Sequence, residues 1–271
     1  LKSYAKNRAA ARVIEDEAKP SPAKPPTSFA LLTDIHGNAP ALSAVMGELE
    51  RRRIDLLYCL GNTVGIGPDS NEVLSLLSQH SDVRYVSGNH EEAVLAAYED
   101  RPAPPGHEAE REHHAWLAAR LDAEHARKLA LWPRRIEAEL GGYRLLFVHY
   151  HLDEHERFLP IDPDPTAQKL DLLYAETDFD FVGFGHHHML HEYVSDKAVY
   201  FNPGALGCGG AVARCGIVHL DESGIRTEVL EVPYDNSRFL RSYREWGVPD
   251  TELILRIFHG VKANAESKVT D

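Results

Sequence analysis

Five short segments carry side chains able to hold a cation or move a proton: Asp34-Ile35-His36-Gly37-Asn38, the turn from Gly61 to Pro68 containing Asn62, Gly88-Asn89-His90-Glu91, His149-Tyr150-His151 and Gly185-His186-His187-His188. A spacing of two on an extended backbone turns the Asp34 carboxylate and the His36 imidazole to one side, where both can meet one ion. His186 and His188 repeat that spacing and give the strongest single signal. Asn89 offers an amide oxygen and His90 a proton donor, and the glycines around Asn62 let the backbone approach a ligand closely.

Each segment alone has a plainer explanation. Asp or Asn before a helix caps it, a glycine-rich turn joins a strand to a helix, and a histidine run scavenges metal adventitiously. Position is what lifts them above those readings. Each follows a short apolar run, and ligands of open α/β sheets gather beyond the carboxyl ends of strands.

The elements that must position these segments are legible as changes of hydrophobic period. Phe29–Thr33 reads as a buried strand and Ala39–Arg53 as an amphipathic helix with Leu42, Val45, Met46 and Leu49 on one face. A strand over Leu56–Leu60, a helix over Ser70–Gln79 and a strand over Val83–Val86 complete a β-α-β-α-β order, which implies parallel strands with crossover helices. Residues 107–130 read as one charged helical stretch ending before Pro133 and able to cap a site. Strands follow at about 143–149 and 180–184. Closely spaced strands near 190–194, 197–201, 213–219 and 225–231 are expected to build a more antiparallel second sheet, before a helix around Asp250–His259.

With 271 residues, 43% hydrophobic and 26% charged, the chain can bury one sizeable core. Residues 1–27 read as an Ala-rich helical extension with a Pro-rich linker, 28–262 as the catalytic domain with a helical insertion at about 105–132, and 263–271 as a tail. A net charge of −13 argues against generic duplex nucleic-acid binding. No apolar run reaches the roughly 18 to 20 residues of a membrane span, so a soluble cytoplasmic protein is expected. Cys59, Cys208 and Cys215 form no C-x-x-C pair and read as buried structural thiols. A homo-oligomer is left open.

In order and spacing, the five segments resemble the calcineurin-like metallophosphoesterase superfamily, in its bacterial phosphodiesterase-like branch, across Phe29–His188. The series is D-x-H, a glycine-led turn, G-N-H, a later His and G-H-x-H, and Asn202-Pro203-Gly204 resembles the closing turn of that family. The resemblance implies a two-sheet αββα sandwich with a small helical cap and a two-metal phosphoesterase. One divalent ion would be held by Asp34, His36 and His188 and the other by Asn89, His149 and His186, with position 62 between them. Mn²⁺ is the leading choice, and Zn²⁺ or Fe are the alternatives. A hydroxide shared by the ions would attack a small phosphate ester, a phosphodiester first of all, while His90 assists the leaving group. His90 and Asn38 would contact substrate. The family carries Asp where this chain has Asn62, so one ion is expected to bind more weakly. A non-catalytic scaffold and a single-metal binding protein are the competing readings. His113, His114, His151 and His187 read as structural or solvated.

Overall fold

A computed structural model describes residues 27–262. The expected helical extension and the expected tail lie outside the described residues, except that Thr27 already belongs to the first strand, β1 (Thr27–Leu32). Helix α1 (Ala39–Arg52), β2 (Leu57–Cys59), α2 (Ser70–Ser78) and β3 (Val83–Tyr85) follow, and β1, β2 and β3 pair in parallel as their order predicts. After α3 (Asn89–Tyr98), the stretch expected as one helix is a 3-10 turn at Glu108–Glu110 followed by α4 (Arg111–Ala118) and α5 (Ala123–Leu129). The break falls at Asp122, whose extended backbone leads into α5 and whose N–H is taken by Asn71 Oδ1.

The second sheet is built from β4 (Arg135–Leu140), β5 (Tyr143–Val148), β6 (Phe181–Gly183), β7 (Leu190–Val194) and β8 (Val199–Pro203), in the order β4-β5-β6-β8-β7. Helix α6 (Ala167–Leu173) connects β5 to β6. The expectation that all later strands join this sheet is corrected. The hairpin of β9 (Val212–Asp221) and β10 (Gly224–Pro233) pairs antiparallel with β1 and completes the first sheet as β10-β9-β1-β2-β3. The alternation in β9 accounts for this. Ala213, Cys215 and Ile217 pack with α1, while Val218 and Leu220 enter the layer between the sheets. Helices α7 (Ser237–Glu245) and α8 (Thr251–His259) are the last elements of the described residues.

Period-two alternation assigns residues to layers. In β1, Ala30 and Leu32 face α1, and Phe29 and Leu31 face the second sheet. In β5, Leu145 and Phe147 face inward, and Leu146 and Val148 face α6. Phe29 sits at the centre, edge-on to Tyr58 (5.3 Å), Phe147 (5.6 Å) and Phe181 (6.1 Å). Burial on this scale contributes about 2 to 3 kcal/mol per aromatic ring. The result is the αββα sandwich that the family resemblance implies. No helix among the described residues is long and apolar enough to cross a membrane.

His259 fastens α8 to α7: its Nε2 lies 2.9 Å from the Tyr243 hydroxyl, and burial, with a smaller contribution from His36, brings its pKa down to about 4. In the unfolded chain the same imidazole titrates near its ordinary value of about 6.5. Above that pH both states are neutral and nothing is lost. As pH falls toward 4, only the unfolded chain takes the proton, so stability declines by about 1.4 kcal/mol per pH unit from this one group. Denaturant unfolding followed between pH 7 and 4.5 is expected to show a shallower slope in His259→Gln than in the wild type by about that amount. Identical slopes would mean that His259 is not held neutral by the fold.

Candidate metal centre

Five of the residues singled out by spacing adopt left-handed backbone: Asp34 (φ 53°), His36 (φ 51°), Asn62 (φ 51°), His186 (φ 69°) and His188 (φ 57°). The extended, same-side arrangement expected for Asp34 with His36, and for His186 with His188, is therefore corrected. The chain leaves each strand in a tight turn, and the side chains converge because the backbone folds back. Each such residue costs about 1 kcal/mol or more, so the conformation persists only where surroundings over-determine it. Here backbone bonds lock the first two loops together, from Asp34 N to the Gly61 carbonyl (3.1 Å), His36 N to the Asn62 carbonyl (2.8 Å) and Gly37 N to the Thr63 carbonyl (2.9 Å). The fifth segment is tied in by Gly185 N to the His149 carbonyl (2.8 Å) and His186 N to Asp34 Oδ2 (2.9 Å). Gly185 permits this approach, since a Cβ there would lie 1.9 Å from Thr33 Oγ1.

Asp34 is fully buried where these loops meet. Its Oδ2 also accepts from Thr33 Oγ1 (2.7 Å), and its Oδ1 accepts from Asn62 Nδ2 (3.1 Å) and lies 3.5 Å from His36 Nε2 and 3.4 Å from His188 Nε2. The two imidazole nitrogens are 3.0 Å apart. Burial alone would raise the Asp34 pKa, but the positive charge at His188 holds it well below the carboxylate range. Burial takes His36 down to about 4; at His188 burial opposes the charge, yet Asp34 pushes its pKa up to about 10. The proton on His188 thus sets a positive charge beside Asp34, in the place where a cation would otherwise balance the carboxylate. Cys208, read from sequence as a structural thiol, offers its sulfur to the same group, within 4.8 Å of the His36 and His188 ligand atoms. Burial raises its pKa, so it stands there as a thiol.

The second half of the site can be solved by hydrogen-bond logic. His149 places Nδ1 2.8 Å from the Leu60 carbonyl, so Nδ1 carries the proton and Nε2 presents a lone pair. Burial lowers its pKa, which keeps it neutral. On the other side, His107 Nδ1 lies 2.7 Å from Glu110 Oε2 and donates to it, leaving His107 Nε2 to accept from Asn89 Nδ2 at 3.1 Å. That fixes the orientation of Asn89, whose Oδ1 faces His149 Nε2 at 2.8 Å. His186 Nδ1 lies 3.1 Å from the same His149 nitrogen. With a neutral ring, His149 Nε2 and Asn89 Oδ1 turn acceptors toward one another, an arrangement that a proton on Nε2 or a bound cation would resolve. The donor set of imidazole nitrogens and amide oxygen fits a divalent transition ion.

Asn62 stands between the two halves with its polarity set against the carboxylate. Its Nδ2 faces Asp34, and its Oδ1 accepts from His90 N (3.1 Å). His90 brings its ring 5.0 Å from that of His36 and sets Nδ1 3.0 Å from His114 Nε2. Burial lowers the His90 pKa well below its ordinary value.

Asn38, expected to contact substrate, does not face the pocket as a free group. It is fully buried, caps α1 through Ala41 N (3.1 Å), and donates to the Gly207 carbonyl (2.8 Å) and the Tyr234 hydroxyl (2.9 Å). This corrects that expectation, because every polar atom of the side chain is already used. His151 gives Nδ1 to the Tyr174 hydroxyl (2.9 Å), and His187 sets Nδ1 2.9 Å from His191 Nε2.

Sequence reading missed Glu91, His107 and Glu110. Glu91 is fully buried and accepts from the backbone N–H groups of Asn62, Thr63, Val64 and Gly88. Burial moves its pKa to about 7, against the pull of those four donors. A Glu at the third position of a helix is a capping signal that was available. His107 and Glu110 gave no such signal, being two more polar residues in a charged stretch.

A profile of the calcineurin-like phosphoesterase superfamily domain matches residues 28–223. An uncharacterized protein of Methanocaldococcus jannaschii is 28% identical over 222 residues, covering 76% of this chain and 88% of that protein. Among solved structures, a hypothetical protein of Pyrococcus horikoshii superposes with a TM-score of 0.70 at 20% identity, over 87% of this chain and 99% of that one. A metallophosphoesterase from Sphaerobacter thermophilus superposes with a TM-score of 0.65 at 22% identity, over 87% of this chain and 100% of that one. At these identities the superpositions speak for the fold, and the profile match over most of the chain places the protein in the calcineurin-like phosphoesterase superfamily.

Proposed function

We propose that this protein is a metal-dependent phosphoester hydrolase acting on phosphodiesters. The observation that carries the reading is the convergence of His149 Nε2, Asn89 Oδ1 and His186 Nδ1, with His149 Nε2 2.8 Å from the first partner and 3.1 Å from the second, a donor set of the kind that holds a divalent ion. One ion would be held by Asn89, His149 and His186, and the other by Asp34, His36 and His188. Mn²⁺ suits this mixture of imidazole and hard oxygen donors. When bound, such ions supply Lewis acidity to the phosphoryl oxygens and lower the pKa of water. Membership of the superfamily supports the hydrolytic class, and a small phosphate ester is the partner this implies.

The chain's own contribution is to hold and orient. His90 is anchored through its backbone N–H to Asn62 and through Nδ1 to His114, which leaves Nε2 for a leaving-group oxygen. A hydrogen bond delivered there helps most when the departing group is a poor one. His90→Gln is therefore expected to lower turnover of an alkyl phosphodiester by about 100-fold or more, with a much smaller effect on a 4-nitrophenyl ester. Equal losses on both substrates would remove His90 from that role.

Asn62 favours one second reading, a centre that binds a single ion tightly, because its N–H₂ rather than its oxygen faces Asp34 at 3.1 Å. Asn62→Asp would set two carboxylates against each other with no cation between them, a repulsion on the order of 1 to 4 kcal/mol. In chelator its melting temperature should fall below that of the wild type. With Mn²⁺ added it should rise by more than the wild type does, and metal content and phosphodiesterase rate should both increase. Unchanged melting, metal content and rate would place position 62 outside the cation site.

A further inference from the structure

A cavity of about 640 Å³ opens directly beside Asn89 and His186, so an ester bound at the proposed centre projects one of its organic groups into it. Its volume lies in the usual range for small-molecule sites, about 300 to 1,000 Å³. Pro104, Pro105, Phe158, Pro160 and Ile161 supply an apolar lining. Phe158 is fixed in place, bridged through its backbone to Leu152 and packed edge-on against the His149 ring at 5.8 Å. The wall behind a proposed ligand is therefore a pre-set aromatic ring.

The charged groups in the lining cancel. Arg134 Nε pairs with Glu92 (2.6 Å) and Arg157 Nη2 pairs with Asp153 (2.7 Å), and all four residues line the cavity. The sum of two positive and two negative groups does not depend on whether either pair opens. Asp153 is further held as the anion by the backbone N–H groups of Arg157 and His155. A group carrying additional phosphates would find no net positive charge here, whereas a neutral flat group would find apolar surface and a ring.

We propose that this cavity seats a neutral, planar ester group of about nucleoside size, so that the substrate class is monoanionic phosphodiesters of the nucleoside type rather than dinucleoside polyphosphates. The inference rests on the hydrolytic reading above for its catalytic meaning, while the binding it requires can be measured separately.

The test compares 4-nitrophenyl thymidine 5′-phosphate with 4-nitrophenyl methyl phosphate on the Mn²⁺-loaded protein, alongside diadenosine tetraphosphate. Calorimetric binding of thymidine 5′-methylphosphonate is compared with that of methyl methylphosphonate, neither of which needs to be hydrolysed. The thymidine ester should exceed the methyl ester in kcat/KM by about tenfold or more, and the thymidine phosphonate should bind correspondingly tighter. Phe158→Ala should erase most of that advantage, read as the ratio of thymidine to methyl ester so that any change common to both cancels; Ile161→Ala, at an exposed position, should reduce the same ratio without threatening the fold. Tighter thymidine binding without turnover of any ester would uphold the cavity assignment and overturn the hydrolytic reading. Equal binding of the two phosphonates, or faster turnover of the tetraphosphate, would overturn the cavity assignment whether or not the protein is a hydrolase.

Discussion

The structure turns on a carboxylate that has no access to water. Asp34 sits at the carboxyl end of β1, where the loops of both sheets meet, and its burial would cost several kcal/mol if nothing opposed it. Part of that cost is offset within the chain, by Thr33 Oγ1, Asn62 Nδ2 and His186 N. The remainder falls on His36 and His188, whose Nε2 atoms stand 3.5 and 3.4 Å from Oδ1, where a proton on His188 or a cation held between them balances the charge. These neighbours come from the first, second and fifth segments, so the carboxylate can be satisfied only when the two sheets are assembled face to face. Charge compensation and the sandwich are in this sense one requirement.

Glu91 is the instructive contrast. It is as deeply buried as Asp34, but its oxygens are taken by four backbone N–H groups from the loops after β2 and β3. A carboxylate satisfied in that way calls for no cation. Its work is mechanical, holding the loop at Asn62 and setting the start of α3, from which Asn89 and His90 project. Two acidic residues of similar burial thus divide into one that builds the loops and one that faces imidazoles, and the difference lies in their partners.

How much of this was legible depended on whether the signal was periodic. The strands and α1 announce themselves through alternation and helical spacing, and the strand-end position of Asp34, His36, Asn89, His149, His186 and His188 follows from where the apolar runs stop. Sheet membership of β9 was not legible, because alternation tells which face of a strand is buried and not which edge it joins. The turn geometry was misjudged for a related reason. Spacing of two reads as same-sided on a strand, whereas Asp34, His36, His186 and His188 achieve convergence through positive φ, which Asp and His adopt more readily than most residues but which their spacing does not reveal. Asn38 showed the opposite failure, a polar residue in the right loop whose atoms are all engaged in holding that loop.

The helical insertion, legible only as a charged stretch, carries a dependence that the ligand residues conceal. Asn89 can offer its oxygen to the centre only because its nitrogen is claimed by His107, and His107 can claim it only because Glu110 fixes the opposite ring nitrogen. The chain of donors runs from the 3-10 turn of the insertion to the heart of the site. His114, from α4, does the same for His90. Strand ends therefore set where the ligands stand, while the insertion sets which atom each of two side chains presents. It follows that, with a cation bound as proposed, sequence change in the insertion would alter its affinity without touching a proposed ligand, as outer hydrogen bonds to metal-binding side chains do elsewhere by about 10- to 100-fold. The cap is chemically part of the centre it covers.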